Sequence, residues 1–253
     1  MKNGNALGPG EVMALLEPNT VKAREALKLT LMSLLAQGAL RFEEVVKKGM
    51  LGTKRQKVFT QAKRPDTLDA PAAAVLAAVN PLGDGKTMGE VIKRLRKAFG
   101  RDFSGFRDKQ LLPALLRKGL IETRPERVLL LFTRTRYHLT AAGERERARL
   151  EGLIEEARRI PSFLASDPAQ AVAIVAGLGA AVLLVEELRP HFDQLGTAMG
   201  PDVSAEFGFS DFDLSGLDGL DESLSAMDAS FDGAADSGGG DGGADGGGGG
   251  GGD

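Results

Sequence analysis

The sequence has no cysteine, no tryptophan, a single tyrosine and two histidines among its 253 residues. Without cysteine, the chain can form no disulfide, no thiolate metal site and no cysteine nucleophile. The scarcity of aromatic side chains argues against a platform on which nucleic-acid bases would stack. His138 and His191 are far apart and lack ligand spacing, so the sequence predicts no metal site and no cofactor.

Recognisable catalytic motifs are missing from the sequence as well. The segment Gly83–Lys86 (GDGK) lacks the spacing of a phosphate-binding loop and is typical of a turn. The adjacent carboxylates Glu43-Glu44 and Glu155-Glu156 are typical of strand and helix surfaces rather than of an acid–base pair. We therefore expect a protein that is not an enzyme.

The longest apolar run of the sequence is Ala169–Val185. A membrane-spanning helix needs about 20 apolar residues, whereas this run stops at Glu186 and contains two glycines. The run therefore favours a buried helix, and insertion into a membrane is the alternative. The first twelve residues lack the apolar core of a signal peptide, so we expect a cytoplasmic protein, either free or peripheral at a membrane.

The charges that are present are distributed unevenly along the chain. Residues 1–200 contain 32 basic and 22 acidic residues, whereas residues 201–253 contain 13 acidic residues and no basic one. This division suggests a basic surface for an anionic partner and an acidic tail able to compete for it. The alternative is that both charges serve only solubility. The glycine- and aspartate-rich composition of residues 201–253 predicts disorder.

Two stretches of the sequence share one pattern, a leucine-rich helix end followed by a glycine and a charged hairpin. They are LMSLLAQGALRFEE (31–44) and LLPALLRKGLIETR (111–124). Helix, glycine, strand, turn and strand form the core of a winged-helix unit, so we predict two tandem winged-helix-like modules in a mainly α fold with short β-hairpins. The predicted domains are these two modules (1–65 and 66–140), a C-terminal helical pair (141–200) and a disordered acidic tail (201–253).

Individual helices carry signals at their ends. The dipeptide Asn19-Thr20 is expected to cap the helix that follows it. Thr87 and Glu90 have the spacing of a capping box, in which each side chain bonds the backbone of the other residue. Pro113 lies inside the helix predicted for residues 102–118, where it should produce a kink or mark the true start.

Two clusters of basic residues are candidate binding surfaces. The first, the basic hairpin tip, has an apolar dipeptide that would insert shallowly into an anionic membrane; it comprises Lys47, Lys48, Met50, Leu51, Lys54 and Arg55. The second, the basic helix face, would contact DNA phosphates from a recognition helix and a wing. It comprises Lys93, Arg94, Arg96, Lys97, Arg101, Lys109, Arg124 and Arg127. For each cluster the alternative is an ordinary solvated surface.

Between residues 67 and 188 the chain resembles bacterial members of the Golgi phosphoprotein 3-like family. The resemblance lies in FTRTRYHLTAAGERERARLEGL and DPAQAVAIVAGLGAAVLL, with TLDAPAAAVL and LLRKGLI upstream. It implies no catalysis, and the eukaryotic members are peripheral membrane proteins. Those members bind phosphatidylinositol 4-phosphate through arginines, a tryptophan and an apolar hairpin tip. By this resemblance Arg107 is the best match to one arginine, whereas the tryptophan is missing.

The amino-terminal part and the tail resemble a different group of proteins. The segments LGPGEVMALLE and ALRFEE are closer to the cytosolic region of uncharacterised bacterial membrane proteins with glycine-rich tails. Neither resemblance implies catalysis, and we expect a non-enzymatic interaction or scaffold protein with a protein partner, which can also dock on an anionic membrane surface. The alternatives are a phosphoinositide-type lipid-binding peripheral membrane protein and a winged-helix DNA-binding regulator.

Overall fold

The computed structural model describes residues 7–49, 52–61, 68–83, 85–128, 132–192, 194–195, 197 and 229. The chain begins with α1 (Pro9–Leu16), α2 (Ala23–Ala36), β1 (Leu40–Gly49), β2 (Gly52–Gln61), α3 (Ala70–Val79), a 3₁₀ turn (Asn80–Leu82) and α4 (Met88–Phe99). It continues with α5 (Ser104–Phe106), a π-helical turn (Arg107–Leu111), α6 (Leu112–Arg117), β3 (Ile121–Val128) and β4 (Phe132–Leu139). The final elements are α7 (Ala141–Ala157), α8 (Ile160–Phe163), α9 (Pro168–Leu178) and two 3₁₀ segments (Gly179–Leu184 and Glu186–His191).

The predicted class, mainly α with short β-hairpins, is confirmed. Strands β1 and β2 pair antiparallel from Leu40 opposite Gln61 to Gly49 opposite Gly52. Strands β3 and β4 form a separate antiparallel pair. The division into two winged-helix-like modules and the boundaries at residues 65, 140 and 200 stay predictions.

The apolar core is one continuous cluster that receives residues from α1 through the C-terminal 3₁₀ segments. Helix α2 contributes a row of leucines at helical spacing, and Leu27, Leu31 and Leu34 are fully buried. Helices α1 and α3 and the Gly179–Leu184 segment pack against α2. Because burial of each such leucine contributes about 1.5–3 kcal/mol, tertiary packing is the main stabilisation of this helix.

The expected cap of α2 is wrong. The N-cap residue is Lys22, which makes no side-chain capping bond. Asn19 instead bonds the backbone of Tyr137 twice, since its Nδ2 donates to the carbonyl at 2.7 Å and its Oδ1 accepts from the N–H at 3.0 Å. The Thr20 hydroxyl donates to Glu17. Asn19 therefore ties the α1–α2 loop to β4, and the capping box of Thr87 and Glu90 at α4 is present as predicted.

The helix predicted for residues 102–118 is present with a local widening before Pro113. Pro113 lacks an N–H, and its ring would clash with the carbonyl four residues earlier in a regular α-helix. The backbone accommodates the ring with the π-helical turn, in which the Leu112 N–H donates to the Arg107 carbonyl. Regular α-helix resumes as α6, with Pro113 in its first turn.

Most of the apolar run Ala169–Val185 is buried, but it does not form the single helix that the sequence predicts. Asp167 caps α9 by accepting a bond from the Gln170 N–H at 3.0 Å. Helix α9 then ends at Gly179, whose φ of 56° lies in the left-handed region that favours glycine. Within the described part of the chain, no helix combines the length and apolar character needed to cross a membrane.

Candidate anion-binding surface

The basic hairpin tip lies at the end of the β1–β2 pair. The register places Lys47 opposite Lys54 and Val46 opposite Arg55. The four basic residues of the tip are therefore all within four residue pairs of the turn. Val46 is 55% exposed, which is high for a large apolar residue. Met50 and Leu51 lie outside the described residues, as do the side chains of the four basic residues.

The base of this hairpin is attached to the segment that precedes α4. The Phe59 N–H donates to the Lys86 carbonyl at 2.7 Å, and the Gly85 N–H donates to the Phe59 carbonyl at 2.9 Å. Phe59 is itself buried in the core. The hairpin base is thus fixed to the helical body by both backbone bonds and apolar packing.

Arg107 is the first residue of the π-helical turn. Its Nε lies 2.7 Å from the Asp108 carboxylate, and its side chain is 35% exposed. The hydrogen bond that Arg107 donates to Asp108 raises the pKa of Arg107 above its ordinary value, and the charges of Asp108 and Asp102 add to this effect. The π-helical turn packs against α1 and α3, whereas the hairpin packs against α2 and α4. A ligand at Arg107 would have to share the guanidinium with Asp108.

The basic residues of α4 fall into two groups with different environments. The Arg94 Nε donates to the Ala78 carbonyl at 3.2 Å. The Arg96 guanidinium carbon lies 5.8 Å from the centre of the Phe103 ring, a distance that permits a cation–π interaction. Both arginines therefore stabilise packing within the protein. Lys93 and Lys97 are exposed one helical turn apart, and Arg101 and Lys109 are exposed as well.

Acidic neighbours offset the positive charge on the β3–β4 hairpin, the predicted wing. The Arg124 Nε donates to Glu122 at 2.7 Å, and the Arg136 Nε lies 2.9 Å from a Glu126 oxygen across the strand pair. The side chain of Arg127 lies outside the described residues. These ion pairs reduce the charge that the hairpin could offer to a DNA phosphate.

A buried charge cluster that sequence reasoning missed joins α1, α3 and α6. Glu11 is 1% exposed, and its Oε2 accepts from the Gly8 N–H at 3.0 Å and from Lys118 Nζ at 2.8 Å. Asp69 caps α3 by accepting from the Ala72 N–H at 2.7 Å. Burial, together with the charge of Glu11, raises the pKa of Asp69 to about 6, against the lowering effects of the Ala72 N–H bond and of Lys118.

One part of this cluster, the contact between Gly8 and Glu11, could be predicted from the sequence. Glu11 follows Gly8 at the spacing of a capping box, with Pro9 at the first helical position. The partner Lys118 lies 107 residues away in sequence, so no local pattern could have paired it with Glu11. Within the described residues, no group of three or more acidic or histidine side chains could hold a metal ion.

Comparison with known proteins identifies one family. The family model for Golgi phosphoprotein 3 (GPP34) matches residues 29–199, which are about two thirds of the chain. The match extends from α2 through the C-terminal 3₁₀ segments, so it includes the β1–β2 hairpin and Arg107. No curated protein matches the sequence.

Proposed function

Since this chain belongs to the Golgi phosphoprotein 3 (GPP34) family, we propose that it is a non-enzymatic adaptor that docks on an anionic membrane surface and recruits a protein partner there. The proposed contact is the basic hairpin tip. The observation that carries the proposal is the register of β1 and β2, because it gathers four basic residues next to the Met50-Leu51 dipeptide.

Charge and apolar insertion would act together at this tip. Each basic residue near an anionic membrane surface contributes about 1 kcal/mol, so four contribute about 4 kcal/mol at low salt. Insertion of Met50 and Leu51 would add about 1.5–3 kcal/mol for each side chain that is fully buried. Neither contribution alone gives stable attachment, so we expect reversible binding that weakens as salt screens the charges.

Two differences from the lipid-binding residues of the eukaryotic members indicate which lipids this chain would bind. The chain has no tryptophan, and the Arg107 guanidinium is already bonded to Asp108 at 2.7 Å. These features support attraction to surface charge more than recognition of one phosphoinositide headgroup. We therefore expect phosphatidylserine vesicles to be bound about as well as vesicles of equal charge that contain phosphatidylinositol 4-phosphate.

Liposome co-sedimentation of the full chain tests the membrane proposal. Binding to phosphatidylserine-containing vesicles and not to phosphatidylcholine vesicles is expected, and the double variant M50D/L51D should abolish it. The control is Leu116→Asp, which introduces an aspartate at an apolar residue away from the tip, 37% exposed on α6. Equal binding to both vesicle types, or retained binding by M50D/L51D, would contradict the proposal.

The DNA-binding alternative has weaker support. Arg94 and Arg96 make contacts within the protein, and Arg124 is paired with Glu122. The exposed basic residues Lys93 and Lys97 favour it, since phosphate contacts need accessible cations. A DNA gel shift at the salt concentration of the liposome experiment separates the two: retention of a duplex without liposome binding would favour the DNA-binding regulator.

A further inference from the structure

An open groove runs along one face of α7, separate from the hairpin and from Arg107. It encloses about 390 Å³, at the small end of the range for sites that bind small molecules. One wall consists of α7 residues at helical spacing, namely Ala142, Arg145, Glu146 and Arg149. The other wall is formed by Leu7, which precedes α1, and by Lys118 and Leu120, which lie between α6 and β3.

Two of the three cations in the groove are held by neighbours. Arg149 donates twice to Glu146, at 2.7 and 3.0 Å, and once to the Gly177 carbonyl at 3.3 Å. Lys118 is held at 2.8 Å by the buried carboxylate of Glu11. A ligand that bonds to these fixed groups orders few additional rotamers when it binds.

Arg145 differs from the other two cations. It is exposed, and the described part of the chain supplies no ion pair for it. Arg149 is paired with Glu146 and Lys118 with Glu11, so Arg145 is the cation of the groove that adds a positive charge without an ion pair from the described residues. Ala142 is the second residue of α7, so the positive end of that helix adds to the field at the same end of the groove.

We propose that this groove binds a small carboxylate that carries a short apolar chain. The carboxylate lies between Arg145 and Lys118, and its single negative charge pairs with the exposed guanidinium of Arg145. A guanidinium can bond both oxygens of a carboxylate. The apolar chain lies on Leu7 and Leu120, the two leucines of the opposite wall. This proposal goes beyond membrane docking and involves none of the residues of the basic hairpin tip.

Saturation-transfer NMR with the full chain tests the proposal, with hexanoate as the probe. Hexanoate should bind, whereas hexanol, which lacks the charge, and acetate, which lacks the chain, should bind at least tenfold more weakly. Equal binding of hexanol would overturn the role of the cations. Tighter binding of hexyl phosphate than of hexanoate would overturn the assignment to a carboxylate.

Three variants test the location of the site. Arg145→Ala should weaken hexanoate binding at least tenfold, and Ala142→Leu should block the groove without changing its charge. Arg117→Ala removes an exposed arginine of α6 outside the groove and should have no effect. If R145A binds hexanoate as well as R117A does, the proposed site is wrong. M50D/L51D should bind hexanoate normally, which separates this test from that of membrane docking.

Discussion

Asp69 should make the protein less stable as the pH rises from about 4 to 8. Its ordinary pKa is 3.8, and burial raises the pKa in the folded protein to about 6. A carboxyl group whose folded pKa is raised binds protons more readily in the folded state, so its contribution to stability is complete below the ordinary pKa. That contribution is lost as the pH rises through about 6.

The size of this change in stability follows from the shift in the pKa of Asp69. About two pKa units at 1.36 kcal/mol each correspond to about 3 kcal/mol in the free energy of unfolding. Asp69→Asn isolates this quantity, since asparagine is also a good N-cap and its side-chain oxygen can still accept from the Ala72 N–H. The stability of D69N relative to the original protein should therefore rise by about 2.5 kcal/mol between pH 4 and pH 8.

Urea unfolding followed by circular dichroism at several pH values measures this difference. The control is Asp167→Asn, because Asp167 caps α9 in the same way but is exposed. Its replacement should show no comparable rise. The pKa of Asp102 is lowered by the bond from the Ser104 N–H, so its effect on the pH dependence of stability has the opposite sign. Because D69N and the original protein both contain Asp102, this effect cancels in the comparison. A D69N difference that stays flat or falls with pH would refute the raised pKa of Asp69.

Two further predictions concern close contacts in the core. A Cβ at Gly143 would overlap the carbonyl oxygen of Leu120, so Gly143→Ala should destabilise the protein by about 2–3 kcal/mol. Gly152→Ala on the same helix meets open space and should stabilise it by about 0.5–1 kcal/mol. Lys118→Met should lower the free energy of unfolding by about 3–5 kcal/mol because Glu11 would stay buried without its cation. The double variant E11Q/K118M removes both charges and should recover most of this loss. Urea midpoints measure all four variants, and equal midpoints for G143A and G152A would contradict the first prediction.

The elements that the sequence predicts well are those with local causes. The two hairpins and the capping box at Thr87 depend on residues close to one another in sequence. The N-cap predicted at Asn19-Thr20 is wrong because a distant contact determines the position of Asn19. Asn19 has the side chain of a good N-cap, but two bonds to Tyr137, 118 residues away, determine its position. A long-range contact of this kind overrides a local preference.

The candidate site could likewise be predicted only in part from the sequence. The basic residues could be located in the sequence, but their accessibility depends on tertiary neighbours. Arg96 and Lys97 are adjacent, yet Arg96 faces the Phe103 ring and Lys97 is exposed. The groove along α7 could not be predicted, since its second wall comes from residues near 7 and near 120 that only the fold brings together.

Lys118 connects the buried cluster to the groove, and this connection has a consequence for binding. The same ammonium group bonds Glu11 and lines the groove, and its charge also acts on Asp69. As the pH rises through about 6, Asp69 becomes charged and joins Glu11 in offsetting Lys118. Hexanoate binding should therefore weaken between pH 5.5 and 7.5 in the original protein and change less in D69N. An equal change in both proteins would mean that Asp69 does not influence the groove.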